Sequence, residues 1–144
     1  MNLNDCHNFD DFRRLAKKKL PSPIFHYIDG GSDDEITLKR NTEAFNSYDL
    51  IPSVLSDVSN VDMSTTVLGE KIDFPLFPAA TAMHRLYHHE GEKASAKAVE
   101  KAGTIFGLST MSTVSIEEIS TINKGPKLFQ LYIHKDRGLT DNLI

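Results

Sequence analysis

Residues 74–133 read FPLFPAATAMHRLYHHEGEKASAKAVEKAGTIFGLSTMSTVSIEEISTINKGPKLFQLYI, and their rhythm decides the fold class. An apolar run, Phe74 to Ala80, is followed by a helical stretch from Glu90 to Ala102 and then by a second apolar run, Ile105 to Leu108. The cycle then repeats. Ser115 with Glu118 three residues on forms a capping-box pattern that opens a helix through Ile119, Gly125-Pro126 breaks the chain, and Leu128 to Ile133 is a third apolar run. Asp136 or Thr140 offers a cap for one further helix. Strands that are nearly all apolar are what a parallel sheet covered on both faces requires, and the alternating helices supply its crossovers. The expected class is α/β. A doubly wound sheet and a (β/α)8 barrel both fit this pattern, but a barrel takes about 250 residues and three strands do not close one.

Upstream the texture is helical. Asp10 to Lys19 places Phe12, Leu15 and Ala16 on one face, and Pro21 closes that helix because proline disfavours helix in the residue before it. A second short helix holds Phe25, Tyr27 and Ile28, with Tyr27 read as a core aromatic, and Gly30-Gly31 is expected to end it in the left-handed conformation. Ser32 with Glu35 is a further capping-box pattern, predicting a third helix from there through Ile36 and Leu38 toward Phe45. Between Leu50 and Lys71 the residues turn to Val, Ile, Leu and Thr with interspersed polar ones, and Leu68-Gly69-Glu70-Lys71 reads as a turn between two short strands. The chain therefore divides into a helical segment with a hairpin, residues 1–73, and a β/α region, residues 74–144.

Composition narrows the function classes. A 144-residue chain with 40% hydrophobic and 25% charged residues lies in the ordinary globular range. Its formal charge of −4, with no basic stripe beyond the short run Lys17 to Lys19, argues against a nucleic-acid or anionic-membrane partner. That run suits the C-terminal turn of a helix. One cysteine, Cys6, allows no intrachain disulfide and points to a reducing, cytoplasmic setting. The N-terminus lacks the basic and apolar regions of a secretory signal, and no apolar run approaches the ~20 residues needed to span a bilayer.

In β/α architectures ligands sit at the C-terminal ends of the strands. There the sequence is polar and small: Thr81-Ala82-Met83 after the first run, Ser109-Thr110-Met111-Ser112 after the second, and Gln130-Leu131-Tyr132 within the third. Such a rim suits a planar heterocycle, since small residues let a ring approach while hydroxyls and amides meet its edge; hydroxyls capping the next helices explain the same pattern equally well. No strand is followed by G-x-G-x-x-G or by G-x-x-x-x-G-K-[ST], so neither a nicotinamide site nor a P-loop is indicated. His88-His89-Glu90 reads as a polar loop, because adjacent residues point in different directions and no second cluster follows. His84 and His134 each lie just past a candidate strand, where a general base can sit, yet polar rims commonly carry histidine.

At these strand ends a family becomes visible. The ordered set LPSPIFHYIDGG, TTVLGEKIDFPLFPAATAM, EGEKASAKAVEKAGTIFGLST, SIEEI and FQLYIHKDR resembles the N-terminal portion of the FMN-dependent α-hydroxy-acid dehydrogenases and oxidases, which include L-lactate dehydrogenase, flavocytochrome b2, glycolate oxidase and mandelate dehydrogenase. The resemblance runs from about Phe9 to Ile144. It implies the first three β/α units of a TIM barrel, preceded by a helical segment and a small hairpin, with FMN at the C-terminal rim. Carried over by position, it implies that Ala80, Thr81 and Ala82 lie against the flavin, that Ser109 and Gln130 hydrogen-bond it, and that Tyr132 lines the active site beside flavin and substrate. It gives the Tyr27 hydroxyl to the substrate carboxylate. Met111 stands where glycolate oxidases of plants carry tryptophan, and an unbranched thioether makes an adaptable wall suited to the methyl group of L-lactate.

The family's proton-abstracting histidine, its arginine pair, a lysine near the flavin and the phosphate site belong to later strands, and none of these roles passes to His84, His134 or Arg137. The chain is thus expected to be the N-terminal part of an enzyme oxidising an L-2-hydroxy acid to a 2-oxo acid, inactive alone. A homo-oligomer is expected of the complete enzyme, with any peripheral attachment to the inner membrane made by a segment outside these residues. No pattern selects an electron acceptor, so oxidase and dehydrogenase both stay open. Two other readings compete: a noncatalytic half-barrel that pairs with another chain through its unpaired strand edge and apolar face, and another FMN-binding TIM barrel such as an isomerase.

Overall fold

The computed structural model describes residues 2–144, which form two compact units, one ending at Val58 and the other spanning Ser59–Ile144. The division falls earlier than the 73/74 boundary drawn from the sequence. The hairpin groups with the β/α region because Ile72 is buried there and the Asp73 N–H donates to the Gly103 carbonyl at 2.8 Å.

In the first unit, α1 (Phe9–Lys19) starts at Asn8, whose side chain accepts from the Asp11 N–H. Asp10 and Asp11 in its first turn and Lys17 to Lys19 in its last complement the helix dipole at both ends. Leu15 of α1 and Phe25 of α2 (Ser22–Asp29) are the buried apolar side chains of this unit, and Arg13 on α1 grips Asp29 through two parallel hydrogen bonds of 2.6 and 3.0 Å. Tyr27 is not a core aromatic: it is 61% exposed, and Phe25 takes the inward position. In an eight-residue helix that is apolar on most sides, periodicity cannot say which aromatic faces the neighbour.

Two expectations at the following turn are corrected. Gly30 is extended, with φ −82° and ψ 153°, so it ends α2 without the left-handed conformation. Space explains the glycines instead, since a Cβ on Gly30 would lie 3.1 Å from the His26 carbonyl oxygen and one on Gly31 would lie 3.0 Å from the Leu38 Cβ. The Ser32/Glu35 capping box does not form. The Glu35 N–H donates to the Ser32 carbonyl, closing a turn, the Glu35 carboxylate accepts from the Gly31 N–H, and α3 (Ile36–Glu43) starts from Glu35 in a left-handed conformation.

The second unit contains the antiparallel hairpin of β1 (Thr65–Val67) and β2 (Glu70–Ile72) expected from the sequence, but its turn is shorter than Leu68–Lys71, since Glu70 and Lys71 already pair in β2. Its two-residue loop has φ of +53° at Leu68 and +87° at Gly69, the combination that matches the twist of a tight hairpin. Leucine in the left-handed region is costly, and at 80% exposure this side chain gains little by packing. Leu68→Asn is therefore expected to raise the unfolding free energy by about 1 kcal/mol. A urea midpoint that does not move upward would refute this.

The remaining elements are α4 (Glu92–Lys101), β3 (Phe106–Ser109), α5 (Ile116–Ile122), β4 (Lys127–Gln130) and α6 (Arg137–Asp141). Strands β3 and β4 pair in parallel across the α5 crossover, so the alternating pattern is realised as α/β structure. The third apolar run ends as strand at Gln130 rather than Ile133. The first run, Phe74 to Ala80, forms no ladder. Pro75 and Pro78 lack the N–H that a ladder needs, yet the segment still runs alongside β3 in the parallel direction. The Thr104 hydroxyl donates to the Leu76 carbonyl at 2.9 Å, and a Cβ on Gly107 would meet the Pro78 carbonyl oxygen at 3.1 Å and the Ala80 nitrogen at 3.0 Å.

Phe106 and Leu108, alternate residues on one face of β3, pack with Ala96 and Val99 of α4, Ile119 of α5 and Val114 in the principal core. Buried Asn123 ties the end of α5 to α4 by donating to the Ala96 carbonyl at 3.0 Å. Two of the three remaining helix starts follow the sequence signals: the Ser115 hydroxyl accepts from the Glu118 N–H, and Asp136, not Thr140, caps α6, whereas α4 starts from Gly91 with no side-chain cap. The Glu118 carboxylate also pairs with Lys93 at 2.9 Å. Among the described residues no helix is long and apolar enough to cross a membrane.

Candidate functional site

Parallel pairing puts Ser109 opposite Gln130 at the C-terminal ends of adjacent strands, on the same face as Gly107 and Leu128. The buried Ser109 hydroxyl donates to Gln130 Oε1 at 3.1 Å and accepts from the Met111 N–H at 3.1 Å. A carboxamide oxygen has a second lone pair, and Gln130 Nε2 has no partner among the described residues, so the side chain keeps both an acceptor and a donor for a ligand.

Thr110 links the two strand ends. Its N–H and its hydroxyl both donate to the Gln130 carbonyl, at 3.0 and 2.5 Å, while the same hydroxyl oxygen accepts from the Tyr132 N–H at 3.3 Å. Tyr132 is thereby tethered by its backbone while the residue as a whole is 53% exposed. On the other side of β3, the backbone of Ala80 lies against Gly107, and the Met83 N–H donates to the Met111 carbonyl at 3.0 Å. Thr81 and Ala82 are held between these two anchors, Thr81 exposed and Ala82 half-buried. Direct contacts therefore gather Ala80, Ser109, Met111, Gln130 and Tyr132 on one rim. Tyr27 belongs to the first unit, where it is exposed on α2.

Two organising residues escaped the sequence reading. Thr110 stood in the polar run after the second strand but was given no role. Glu92, at the first position of α4, is 1% exposed, and its carboxylate accepts from the His84 N–H at 3.2 Å and from the Thr113 N–H and hydroxyl at 2.9 and 2.5 Å. Burial favours its neutral form, but the hydrogen bonds from Thr113, its own N–H and His84 outweigh this and hold its pKa below the ordinary glutamate value. A carboxylate with a lowered folded pKa stabilises the fold above its ordinary value and loses that contribution as pH falls through the lowered one. An acid in the first helical turn was the visible signal, and it marks only the dipole effect.

Of the two rim histidines, His84 has its ring engaged, with Nδ1 3.2 Å from the Ser95 hydroxyl on α4, whereas His134 is held by its backbone, whose N–H donates to the Thr140 hydroxyl at 2.9 Å. His88 and His89 face each other with ring centroids 4.3 Å apart. Among the described residues no group of three or more His, Cys, Asp or Glu side chains is placed to hold a metal ion.

A family model described as FMN-dependent dehydrogenase matches residues 16–144. The chain belongs to this family. It is 43% identical over 142 residues to glycolate oxidase 1 of Oryza sativa subsp. indica, covering 99% of this chain and 38% of that protein. Glycolate oxidase of Spinacia oleracea is 42% identical over 137 residues, covering 95% of this chain and 37% of its own length. Among solved structures, an L230A mutant of flavocytochrome b2 with benzoylformate superposes with a TM-score of 0.88 at 34% identity, covering 99% of this chain and 38% of that one. A lactate oxidase of Pediococcus acidilactici gives 0.86 at 34% identity, covering 96% and 39%. The chain thus spans under two fifths of the length of the curated relatives it matches, and the resemblance read from the strand-end motifs holds at the level of the family.

The rim fits the family's cofactor at its ring. A flavin's pyrimidine edge alternates donors and acceptors, which the Gln130 amide can meet, and Ser109 adds a buried hydroxyl beside it. Ala80 and Ala82 present no bulk that would hold a planar ring away, and Gly107 lets the backbone of Ala80 lie close against β3.

Proposed function

We propose that this chain is the N-terminal part of a (β/α)8-barrel enzyme that oxidises an L-2-hydroxy acid, in the first place L-lactate, to the 2-oxo acid with FMN. The observation that carries the reading is the Ser109–Gln130 pair, in register at the ends of two parallel strands with an amide donor and acceptor left over. Membership of the FMN-dependent family supports it.

In this reading Ser109 and Gln130 hold the pyrimidine edge, and the backbone from Ala80 to Ala82 backs the ring. FMN, when bound, supplies the two-electron acceptor for the hydrogen on the substrate's α-carbon. Tyr132, its backbone tethered through Thr110, offers its hydroxyl to the substrate oxygen on the reacting carbon, and the Tyr27 hydroxyl takes the carboxylate. Met111, half exposed on the rim, forms the apolar wall beside the substrate's side chain. Removal of the hydroxyl proton falls to a base on a later strand, since His84 and His134 do not stand at the motif position of the family's histidine. Glycolate is the second reading, favoured by the identity to the rice and spinach enzymes.

The test uses protein produced from its complete coding sequence. Its visible flavin absorbance should bleach anaerobically with L-lactate, and faster than with glycolate. Gln130→Leu should weaken FMN binding about tenfold, equivalent to about 1.4 kcal/mol. Faster bleaching by glycolate would reverse the substrate order. A protein that binds no flavin would sink the reading as a whole.

A further inference from the structure

We propose that Glu92 is a positioning residue for the flavin-facing rim, fixing the separation between the segment after residue 80 and the loop after β3; this rests on the FMN reading above. The first segment continues from Ala80 and carries Thr81 and Ala82, and the second continues from Ser109 and carries Met111. Eight residues separate His84 from Glu92 and twenty-one separate Glu92 from Thr113, yet one carboxylate accepts from both segments. A second tie, from the Met83 N–H to the Met111 carbonyl, lies one residue before His84 and two before Thr113. The carboxylate and this backbone bond together form a two-point clamp, which resists twisting where either bond alone would act as a pivot.

Gly91 makes room for the clamp. Its φ of +57° and ψ of −139° belong to a region that glycine alone adopts readily, and a Cβ there would lie 2.7 Å from Arg85 Cγ and 3.3 Å from the Thr113 hydroxyl. A side chain at residue 91 would push against the group that Glu92 holds. Exchange for glutamine removes the charge that strengthens these bonds, and its NH2 can reach only the Thr113 hydroxyl oxygen, which must then turn its own proton elsewhere. From Thr113 the path to the ring is short: Met111 follows two residues earlier, and its N–H donates to the Ser109 hydroxyl that in turn binds Gln130.

A purely structural glutamate would lower stability and leave the rim unchanged once folded, so the test separates the two. In the FMN enzyme made from its complete coding sequence, the FMN dissociation constant and the flavin midpoint potential are measured for Glu92→Gln, Glu92→Asp, Thr113→Val and, as a core control, Ile119→Val. Glu92→Gln is expected to weaken FMN binding about tenfold or more, as loss of an outer support of a bound group does, and to shift the potential. Glu92→Asp should restore part of the affinity. Ile119→Val should lower the melting temperature and leave affinity and potential unchanged. If Glu92→Gln does not fold, Thr113→Val, which removes only the hydroxyl donor, is read in its place. Unchanged affinity and potential in the rim variants, or an equal loss in Ile119→Val, would overturn the proposal. A wild-type protein that binds no FMN defeats the function reading itself, whereas failure confined to these variants defeats this inference alone.

Discussion

Phe106→Ala is expected to lower the unfolding free energy of the folded protein by about 3–5 kcal/mol, the range for truncating a fully buried aromatic side chain. Phe106 is 2% exposed and sits in the middle of the cluster formed with Ala96, Val99, Leu108, Val114 and Ile119. With its ring packed among these side chains, the site is expected to collapse only partly and leave a cavity. Against a typical domain stability of about 5–15 kcal/mol, that loss removes much of the margin. Chemical denaturation with an unchanged slope and a lower midpoint would report it; a change under about 1 kcal/mol would show that Phe106 is not the keystone of this core. The effect also reaches the rim, since Ser109 lies three residues along the same four-residue strand.

Gly103→Ala should cost about 2–4 kcal/mol, by a different route. Gly103 follows α4 with φ +63°, where a Cβ is disfavoured, and the added Cβ would stand 2.4 Å from Asp73 Oδ2 and 2.9 Å from Asp73 Cβ. The two residues are also joined by the hydrogen bond from the Asp73 N–H to the Gly103 carbonyl, so the clash cannot be relieved by moving Asp73 without breaking the tie between hairpin and β/α region. Removing the side chain from the other partner tests this account. In Asp73→Gly the same Gly103→Ala change should cost only the conformational part, about 1–2 kcal/mol. Equal costs in both backgrounds would show that the crowding at Asp73 carries no energy.

Where a structural decision was local, it was legible in the residues. The helix starts at Ser115 and Asp136 each follow from a side chain that accepts a hydrogen bond from an N–H two or three residues on, and a sequence window contains both partners. The tight turn at Leu68-Gly69 and the apolar character of Phe106 and Leu108 were equally visible. Reading failed where two local solutions competed: Ser32 and Glu35 carry the letters of a capping box, but Gly31 offers its N–H to the Glu35 carboxylate, and the box is lost. The missing ladder at Phe74 to Ala80 was written in Pro75 and Pro78, whose lack of donors outweighs an apolar run.

By itself, then, the sequence determined the α/β alternation, the two parallel strands with their crossover and the polar character of their C-terminal ends, because hydrophobic period and capping act over a few residues. Tertiary structure alone decided that Ser109 faces Gln130, that Thr110 joins Gln130 to Tyr132, and that Phe25 rather than Tyr27 turns inward. It also decided that Glu92 would be buried as a charge. A carboxylate is tolerated there only because donors from residues 84 and 113 converge on it, and that convergence depends on the packing of α4 between two loops, which no single stretch of chain specifies.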